Sequence, residues 1–466
     1  MRETPSGPIA EAPANPGRIY LILLAIYFGL VVYGSLVPLE FRYVSFEQAI
    51  RKFREIPYFH VGIQSRSDLV ANFLLFVPLT FLAMGALTRE NRRRAKLLIA
   101  LSIAVTTALL SAAVEFAQIY FPARTVSQND IIAETVGGIT GIVLWFCFGW
   151  RITQWARSLW TERAKDRLGV KILTGYVVLL IIYQMLPLDM TISLTELYHK
   201  WKASKVNIFP FRDPGGLDTY TILSKIAVMI PTGYLLMLLQ HRRRYRIFRV
   251  VVQTCALSAL IEAAQLFVLT RYSSSTDVVL GAFGGLLGAV AAMLFGPSAG
   301  RPVLETDFWR RRGIWIKLIA TIALLGGMMW EKWYPFDFSW PAEGLAAGVA
   351  EILAVPFARQ YLMPEFLAVG QVVREFTSFF VLGMLFRSLS NPAGKAGKIG
   401  CALPISGLAV AFEFAQVFLP SRTADPTAMV ISGTGGIMGV WLFDRFVNVF
   451  LKTDQSDMNK AHIREQ

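Results

Sequence analysis

Cysteine, histidine and charged residues are scarce in this chain of 466 residues. The three cysteines lie apart in apolar stretches without CxxC spacing, and the four histidines are scattered, at His60, His199, His241 and His462. A disulfide framework and a structural zinc site both require closer spacing, so neither is expected. We expect no metal ion and no other cofactor.

Charged residues make up 17% of the chain, whereas 54% of the residues are hydrophobic. A soluble chain of this length would carry more charge, so most of the surface is predicted to face lipid. Residues 1–17 are rich in Pro, Ala and Gly, and no small-residue cleavage pattern follows the first apolar run. This segment is predicted to be a disordered cytoplasmic tail ahead of a retained helix.

Apolar runs recur along the whole sequence, and the clearer ones approach the roughly 20 residues that span the hydrocarbon layer. The predicted fold class is therefore all-α, a polytopic transmembrane protein with about 12 helices. The predicted spans are 19–38, 68–87, 98–121, 130–150, 171–187, 221–240, 247–270, 277–295, 313–330, 374–389, 399–419 and 427–446.

One polar pattern occurs three times in the chain. Glu115 is followed by Gln118, Arg124 and Asp130. Agreement of residue types and spacing over a long stretch indicates internal repetition. The other two copies contain Glu262, Gln265, Arg271 and Asp277, and then Glu413, Gln416 and Arg422, with Ala428 at the aspartate position.

Pairs of glycines follow each glutamate with the spacing GxxxG. This spacing allows close approach of helices in lipid, so we interpret the glycines as packing positions. A phosphate-binding loop would need a preceding strand and a Lys-Ser/Thr pair, and neither is present. The pairs are Gly137 with Gly141, Gly284 with Gly288, and Gly435 with Gly439.

Each copy holds four candidate helices, which predicts three parallel four-helix repeats. We name them repeat one (18–150), repeat two (171–297) and repeat three (313–446). Cytoplasmic linkers are predicted over 151–170 and 298–312, and a cytoplasmic tail over 447–466.

Orientation follows from the basic residues. Basic segments such as 89–96 and 241–246 are expected in the cytoplasm, together with both termini, which places the three glutamates near the outer face. The net charge of +14 fits cytoplasmic loops beside anionic lipid, so the bilayer is an expected partner and nucleic acid is not.

The buried glutamates require partners. Glu115 lies on the order of 9 Å below its helix end, where an ionisable group costs about 2–3 kcal/mol. We expect Arg124 to fold back onto Glu115 as an ion pair, with Gln118 on the same helical face.

Two interpretations of this motif remain open. In the first, it is a polar lock that ties helix three to the hairpin, with Asp130 and Asp277 as N-caps of helix four. In the second, it lines an outward-facing pocket where Arg engages a phosphate or carboxylate and Glu exchanges protons or binds a hydroxyl or amine. In the third copy, Asp425 could cap the helix one turn sooner, because Pro426 suits the first helical position.

Helix two also carries a polar position that differs between copies. Asn72 lies one turn after Asp68, and the matching residues are Lys225 and Glu375. We interpret the last two as snorkelling side chains or as parts of a shared central cavity. Before this helix, residues 45–59 have the apolar spacing of an interfacial helix, which could equally be a lid over the polar site.

These motifs resemble the VanZ-like family of bacterial membrane proteins. The resemblance is carried by DLVANFLLFVPLTF from Asp68, EFAQIYFPARTVSQNDIIAETVGGITG from Glu115 and NIFPFRD from Asn207. Members usually have one module, whereas this chain carries three. The family is named for a protein associated with low-level teicoplanin resistance, so the resemblance implies a role in the bacterial cell envelope, in glycopeptide resistance or envelope polysaccharide processes.

Three classes of function follow from these observations. The leading one is a non-enzymatic protein of the bacterial cytoplasmic membrane that binds lipid-linked glycan, phospholipid headgroups or other membrane proteins. The alternatives are an intramembrane enzyme that acts on a lipid-linked substrate at the outer face, and a transporter. Catalysis requires a complete Glu, Arg and Asp set, which repeats one and two contain. Transport requires polar residues at mid-depth, which most of these helices lack.

Overall fold

The computed structural model describes residues 16–58, 63–88, 93–161, 165–212, 219–240, 245–295, 307–340, 345–363, 365–390 and 395–464. Residues 1–15 of the predicted disordered tail, His60, His241 and parts of both basic segments lie outside these residues, as does the side chain of His462. The chain divides into two compact units, residues 1–158 and residues 159–466. The first contains repeat one, and the second contains repeats two and three.

Repeat one consists of four long helices and one short helix. The short helix, α2, was predicted from the apolar spacing of residues 45–59. Ser45 precedes it and accepts a hydrogen bond from the Gln48 amide. The elements are α1 (Pro16–Leu36), α2 (Phe46–Arg54), α3 (Ile63–Leu87), α4 (Arg93–Gln118) and α5 (Gln128–Thr161).

Repeat two has the same order of elements and adds two short strands, which pair in parallel. Its elements are α6 (Lys165–Met185), α7 (Leu194–Lys202), β1 (Val206–Asn207), α8 (Thr219–Leu239), α9 (Arg246–Gln265), β2 (Ser273–Ser274) and α10 (Ser275–Phe295). Both α5 and α6 extend into the segment predicted as a linker.

Repeat three replaces the single short helix with two. Its elements are α11 (Asp307–Trp333), α12 (Leu345–Ile352), α13 (Ala358–Tyr361), α14 (Glu365–Leu389), α15 (Lys395–Gln416) and α16 (Pro426–Arg464). The last helix continues through most of the segment predicted as a tail.

Twelve helices of the described ranges are long and apolar enough to cross a membrane. They correspond one by one to the predicted spans, four in each repeat, so the fold class is confirmed: the protein is a multi-pass integral membrane protein. Within the described residues, β pairing is limited to the two-residue strands and an isolated bridge between Met190 and Val268. Each repeat has its own apolar core, around Phe76, Met229 and Phe379 respectively.

The GxxxG glycines bring the fourth span of each repeat against the second. A Cβ atom at any of these six glycines would lie 2.0–2.4 Å from a backbone carbonyl oxygen of the second span. The prediction that they are packing positions is confirmed. The carbonyls belong to Phe73 and Val77, to Ile226 and Ile230, and to Phe376 and Phe380.

The first span of each repeat ends at a cis proline, at Pro38, Pro187 and Pro335. The chain then runs beside the end of the third span. There the amides of Arg42, Thr191 and Ser339 donate to carbonyls five residues beyond the motif glutamates, at distances of 2.8 Å. The beginning of each loop is thereby attached to the end of span three.

The glycine contacts give a direct test in repeat three. Gly435→Ala would place a methyl group 2.4 Å from the Phe376 oxygen, so α16 must move away from α14. Overpacking of this kind costs about 1–3 kcal/mol, and we expect a lower thermal unfolding midpoint in detergent. Gly407→Ala is the matched control, because nothing lies within 4 Å of its Cβ position. Equal midpoints for the two variants would contradict the packing role.

Candidate functional site

The three motif glutamates lie near the ends of α4, α9 and α15, and their side chains are buried. Glu115, Glu262 and Glu413 are exposed to 1%, 7% and 2%, respectively. Each carboxylate accepts a hydrogen bond from the backbone amide twelve residues later. The donors are Ser127, Ser274 and Asp425, at 3.1, 2.8 and 3.0 Å. The same contact therefore closes the turn between spans three and four in every repeat.

The amide donor is in each case the N-cap residue of the fourth span. The Ser127 hydroxyl accepts from the Asp130 amide, and the Ser274 hydroxyl accepts from the Thr276 amide. The prediction that Asp130 and Asp277 are N-caps is wrong, because both lie in the first turn, three residues after the cap. Asp425 does cap α16 by accepting from the Thr427 amide at 2.9 Å.

The motif glutamines attach the third span to the first. Gln118 donates from Nε2 to the Ser35 carbonyl, and Gln265 donates to the Gln184 carbonyl, both at 2.9 Å. These carbonyls lie three residues before the cis prolines. Gln416 is also buried, with 7% exposure. Gln118 and Gln265 therefore each connect the third span of their repeat to the first.

Two of the motif arginines donate hydrogen bonds to backbone carbonyls of their own repeats, and the expected ion pair of Arg124 with Glu115 stays a prediction. Arg271 donates to the carbonyls of Leu186 and Tyr183, at 2.7 and 3.1 Å. Arg422 donates to the Tyr334 carbonyl at 2.8 Å. Since Leu186 and Tyr334 directly precede the cis prolines, these guanidinium groups bind the last carbonyls of the first span. Burial lowers the pKa of Arg271, but a guanidinium group remains charged at neutral pH.

Repeat one gathers three carboxylates around the cap. Asp130 accepts from the Asn72 amide group and from the Ser127 hydroxyl, both at 2.7 Å. One turn further along α5, Glu134 is 2% exposed and accepts from the Ser111 hydroxyl at 2.6 Å. Sequence analysis did not identify Glu134, although a carboxylate inside an apolar span is a signal that could have found it.

Repeat two has a lysine in place of Asn72. Lys225 forms an ion pair with Asp277, the residue that matches Asp130. Gly281 stands where repeat one has Glu134, and a small cavity opens beside it, lined also by Glu262 and Gln184. The buried Ser258 hydroxyl lies against Gly281 and has no hydrogen-bond partner among the described residues.

Repeat three places its lysine on the first span. Lys332 donates to Glu375 at 2.9 Å and to Glu413 at 2.6 Å. Glu375 also accepts from the Ser432 hydroxyl at 3.1 Å. Lys332 lies three residues before its cis proline, as Ser35 and Gln184 do in the other repeats. Sequence analysis did not identify it, since its partners are 43 and 81 residues away.

These contacts correct the interpretation of Lys225 and Glu375 as snorkelling groups. Both side chains turn towards oppositely charged partners inside their own repeats. The alternative of a shared central cavity stays a prediction. Within the described residues, no group of three or more His, Cys, Asp or Glu side chains could hold a metal ion.

A second cavity lies in repeat one at the end of α4. It measures about 350 Å³ and is bounded by two basic residues and an apolar wall. The residues that line it are Lys52, Ile56, Pro57, Gln118, Ile119, Phe121, Pro122, Arg124 and Val126. We call it the repeat-one pocket. The pocket lies between the end of α2 and the motif. The alternative that residues 45–59 form a lid over the polar site stays a prediction.

The corresponding region of repeat two is filled by a lysine. Lys200 of α7 is 4% exposed and binds backbone carbonyls at the end of α9. Burial, together with the charge of Lys205, lowers the pKa of Lys200 to about 8. Its side chain is therefore still an ammonium group at neutral pH.

Comparison with known protein families gives one result. The sequence model of the VanZ/LLP1 family matches three separate segments, residues 19–149, 173–296 and 318–448. Together they cover more than four fifths of the chain, and each contains four of the spans. Comparisons with curated proteins and with solved structures give no match.

The Lys332 cluster gives a test of buried charge. Lys332→Met would leave Glu375 and Glu413 without their common cation, and loss of one member of a buried ion pair costs about 3–5 kcal/mol. We expect a strongly reduced unfolding midpoint, partly restored by adding Glu375→Gln, which removes one uncompensated carboxylate.

The neighbouring residue supplies the control. Glu331→Gln removes an exposed ion pair with Arg374, and such pairs contribute at most about 1 kcal/mol. A Lys332→Met protein as stable as Glu331→Gln would show that the cluster does not stabilise repeat three.

Proposed function

The chain belongs to the VanZ/LLP1 family, and on that premise we propose that it binds the phosphate-bearing headgroup of a membrane lipid in the repeat-one pocket. The headgroup is that of a phospholipid or of a lipid-linked glycan. The binding site would serve a process of the cell envelope, of which glycopeptide resistance and envelope polysaccharide synthesis are candidates.

The composition of the repeat-one pocket is the observation that carries this proposal. Lys52 and Arg124 supply positive charge, whereas Ile56, Ile119 and Val126 supply apolar surface. Its volume of about 350 Å³ lies within the range of small-molecule sites, roughly 300–1,000 Å³. Cations beside apolar side chains suit a phosphate group attached to a lipid.

The position of the pocket supports a headgroup as the ligand. Its lining comes from the C-terminal end of the spanning segment 93–118, from the hairpin after it and from the end of α2. These residues lie at the edge of the membrane-spanning part, where headgroups are found. The distribution of basic residues, which predicts cytoplasmic termini, would place this edge on the outer side.

An enzyme that acts on a lipid-linked substrate is the second candidate, and the carboxylates of repeat one favour it. Ser127 connects two of them, through its amide to Glu115 and through its hydroxyl to Asp130. The binding role has the stronger support, because the Arg271 guanidinium group of repeat two donates to backbone carbonyls of its own repeat. A transporter is the third alternative.

Because Lys52 lines the repeat-one pocket, we expect the substitution Lys52→Ala to lower the affinity of the protein for the lipid. Removing one charge-assisted contact to a phosphate should weaken binding about tenfold, or about 1.4 kcal/mol. Binding can be measured by native mass spectrometry of the purified protein titrated with phospholipids.

The control for this prediction lies on the same helix. Arg51→Ala removes the same charge from α2 at an exposed position that does not line the pocket, so affinity should stay within about twofold of the natural protein. Equal losses in the two variants would indicate a general effect of charge. Unchanged binding in Lys52→Ala would overturn the proposal.

A further inference from the structure

The Lys200 ammonium group of repeat two occupies a binding position at the C-terminal end of α9. Its Nζ atom donates to the carbonyls of Gln265 at 2.6 Å, Leu266 at 3.2 Å and Val268 at 2.6 Å. These carbonyls lie at and just beyond the C-terminus of α9, where the helix end carries partial negative charge, and the Gln265 carbonyl also accepts from the Val268 amide at 3.1 Å. They form a three-oxygen cradle for an ammonium group.

The matching positions of repeat one line its pocket. Counting three, four and six residues from the motif glutamate gives Gln265, Leu266 and Val268 in repeat two, and Gln118, Ile119 and Phe121 in repeat one. All three residues of the second set border the repeat-one pocket. When repeats one and two are aligned on their motif glutamates, the position of the Lys200 ammonium group in repeat two corresponds to a position inside the repeat-one pocket.

Lysine does not fill this position in repeat one. Lys200 is the seventh residue of α7, and Lys52 is the seventh residue of α2. Lys200 is buried on the cradle, whereas Lys52 is exposed at the edge of the pocket. Repeat one thus has both the space for an ammonium group and a cation beside that space.

We propose that the repeat-one pocket selects a zwitterionic lipid whose headgroup carries a primary amine and a phosphate, as phosphatidylethanolamine does. The ammonium group lies at the C-terminal end of α4, near Gln118, Ile119 and Phe121. The phosphate lies towards Lys52 and Arg124. This inference rests on the proposed function, since it specifies which headgroup the same pocket binds.

Hydrogen bonding is the reason why the repeat-one pocket would select a lipid with a primary amine. In repeat one the Gln118 and Phe121 carbonyls already accept from the Phe121 and Arg124 amides, at 2.8 and 2.9 Å. A carbonyl oxygen can accept a second hydrogen bond, and a primary ammonium group offers three N–H donors. A trimethylated amine offers none and is bulkier, and a glycerol headgroup has no positive charge. Phosphatidylethanolamine should therefore bind about tenfold more tightly than phosphatidylcholine or phosphatidylglycerol, which corresponds to about 1.4 kcal/mol.

The test is competitive binding of these three lipids, with matched acyl chains, to the purified full-length protein by native mass spectrometry. Preference for phosphatidylethanolamine is the expected result. Equal or tighter binding of phosphatidylglycerol would overturn the amine inference and leave the proposed phosphate binding intact. Absence of saturable binding by all three would overturn both.

Lys52→Ala separates the amine contact from the phosphate contact. The affinity for each lipid should fall, while the preference for phosphatidylethanolamine over phosphatidylcholine should persist, because the carbonyl cradle is unchanged. Tighter binding of phosphatidylethanolamine to Lys52→Ala would mean that the Lys52 ammonium group itself occupies the cradle, and the inference would be wrong.

Discussion

The hydrogen bond from a helix N-cap amide to a buried glutamate is the contact on which each repeat depends. It joins the last turn of span three to the first turn of span four across a short hairpin, at 2.8–3.1 Å in all three copies. A buried amide at a helix N-terminus needs an acceptor, and the positive end of the helix favours a negative one. Glutamine or arginine side chains of the motif then attach the first span to this part of the repeat: Gln118 in repeat one, Gln265 and Arg271 in repeat two, and Arg422 in repeat three. The motif is therefore structural at its centre, and ligand binding is proposed at its edge.

The other polar positions of the repeats differ from one another. In repeats two and three, each charged residue at span two still has an oppositely charged partner. Span two carries Asn72, Lys225 or Glu375, and the position three residues after the N-cap of span four is an aspartate in the first two repeats and Ala428 in the third. Where Glu375 adds a carboxylate, Lys332 supplies the cation from span one. Where Lys225 adds a cation, Asp277 receives it. Duplicated modules can thus change charge at one position when a neighbouring span changes with it.

The sequence was sufficient to predict the spans, the three repeats and the packing glycines, because each depends on local hydrophobicity or on spacing. It was not sufficient for the partners of Glu115, Arg271 or Lys332. Arginine has a long side chain, and it can satisfy a backbone carbonyl as well as a carboxylate, so an opposite charge nearby in sequence is weak evidence for an ion pair. The repeat-one pocket was beyond prediction for a similar reason, since its lining combines α2 with residues that follow α4.

The ion pairs of repeats two and three also make the matching spans of these repeats chemically different from one another. All three fourth spans present the same glycine face, so backbone packing alone does not distinguish α10 from α16 as a partner for α8. The charged side chains do distinguish α10 from α16. A mispaired α10 on α14 would set Asp277 against Glu375, two carboxylates in an apolar medium, whereas α16 on α8 would offer Lys225 only Ala428. The charged positions thus distinguish the matching spans of repeats two and three, which packing by glycine alone would leave interchangeable.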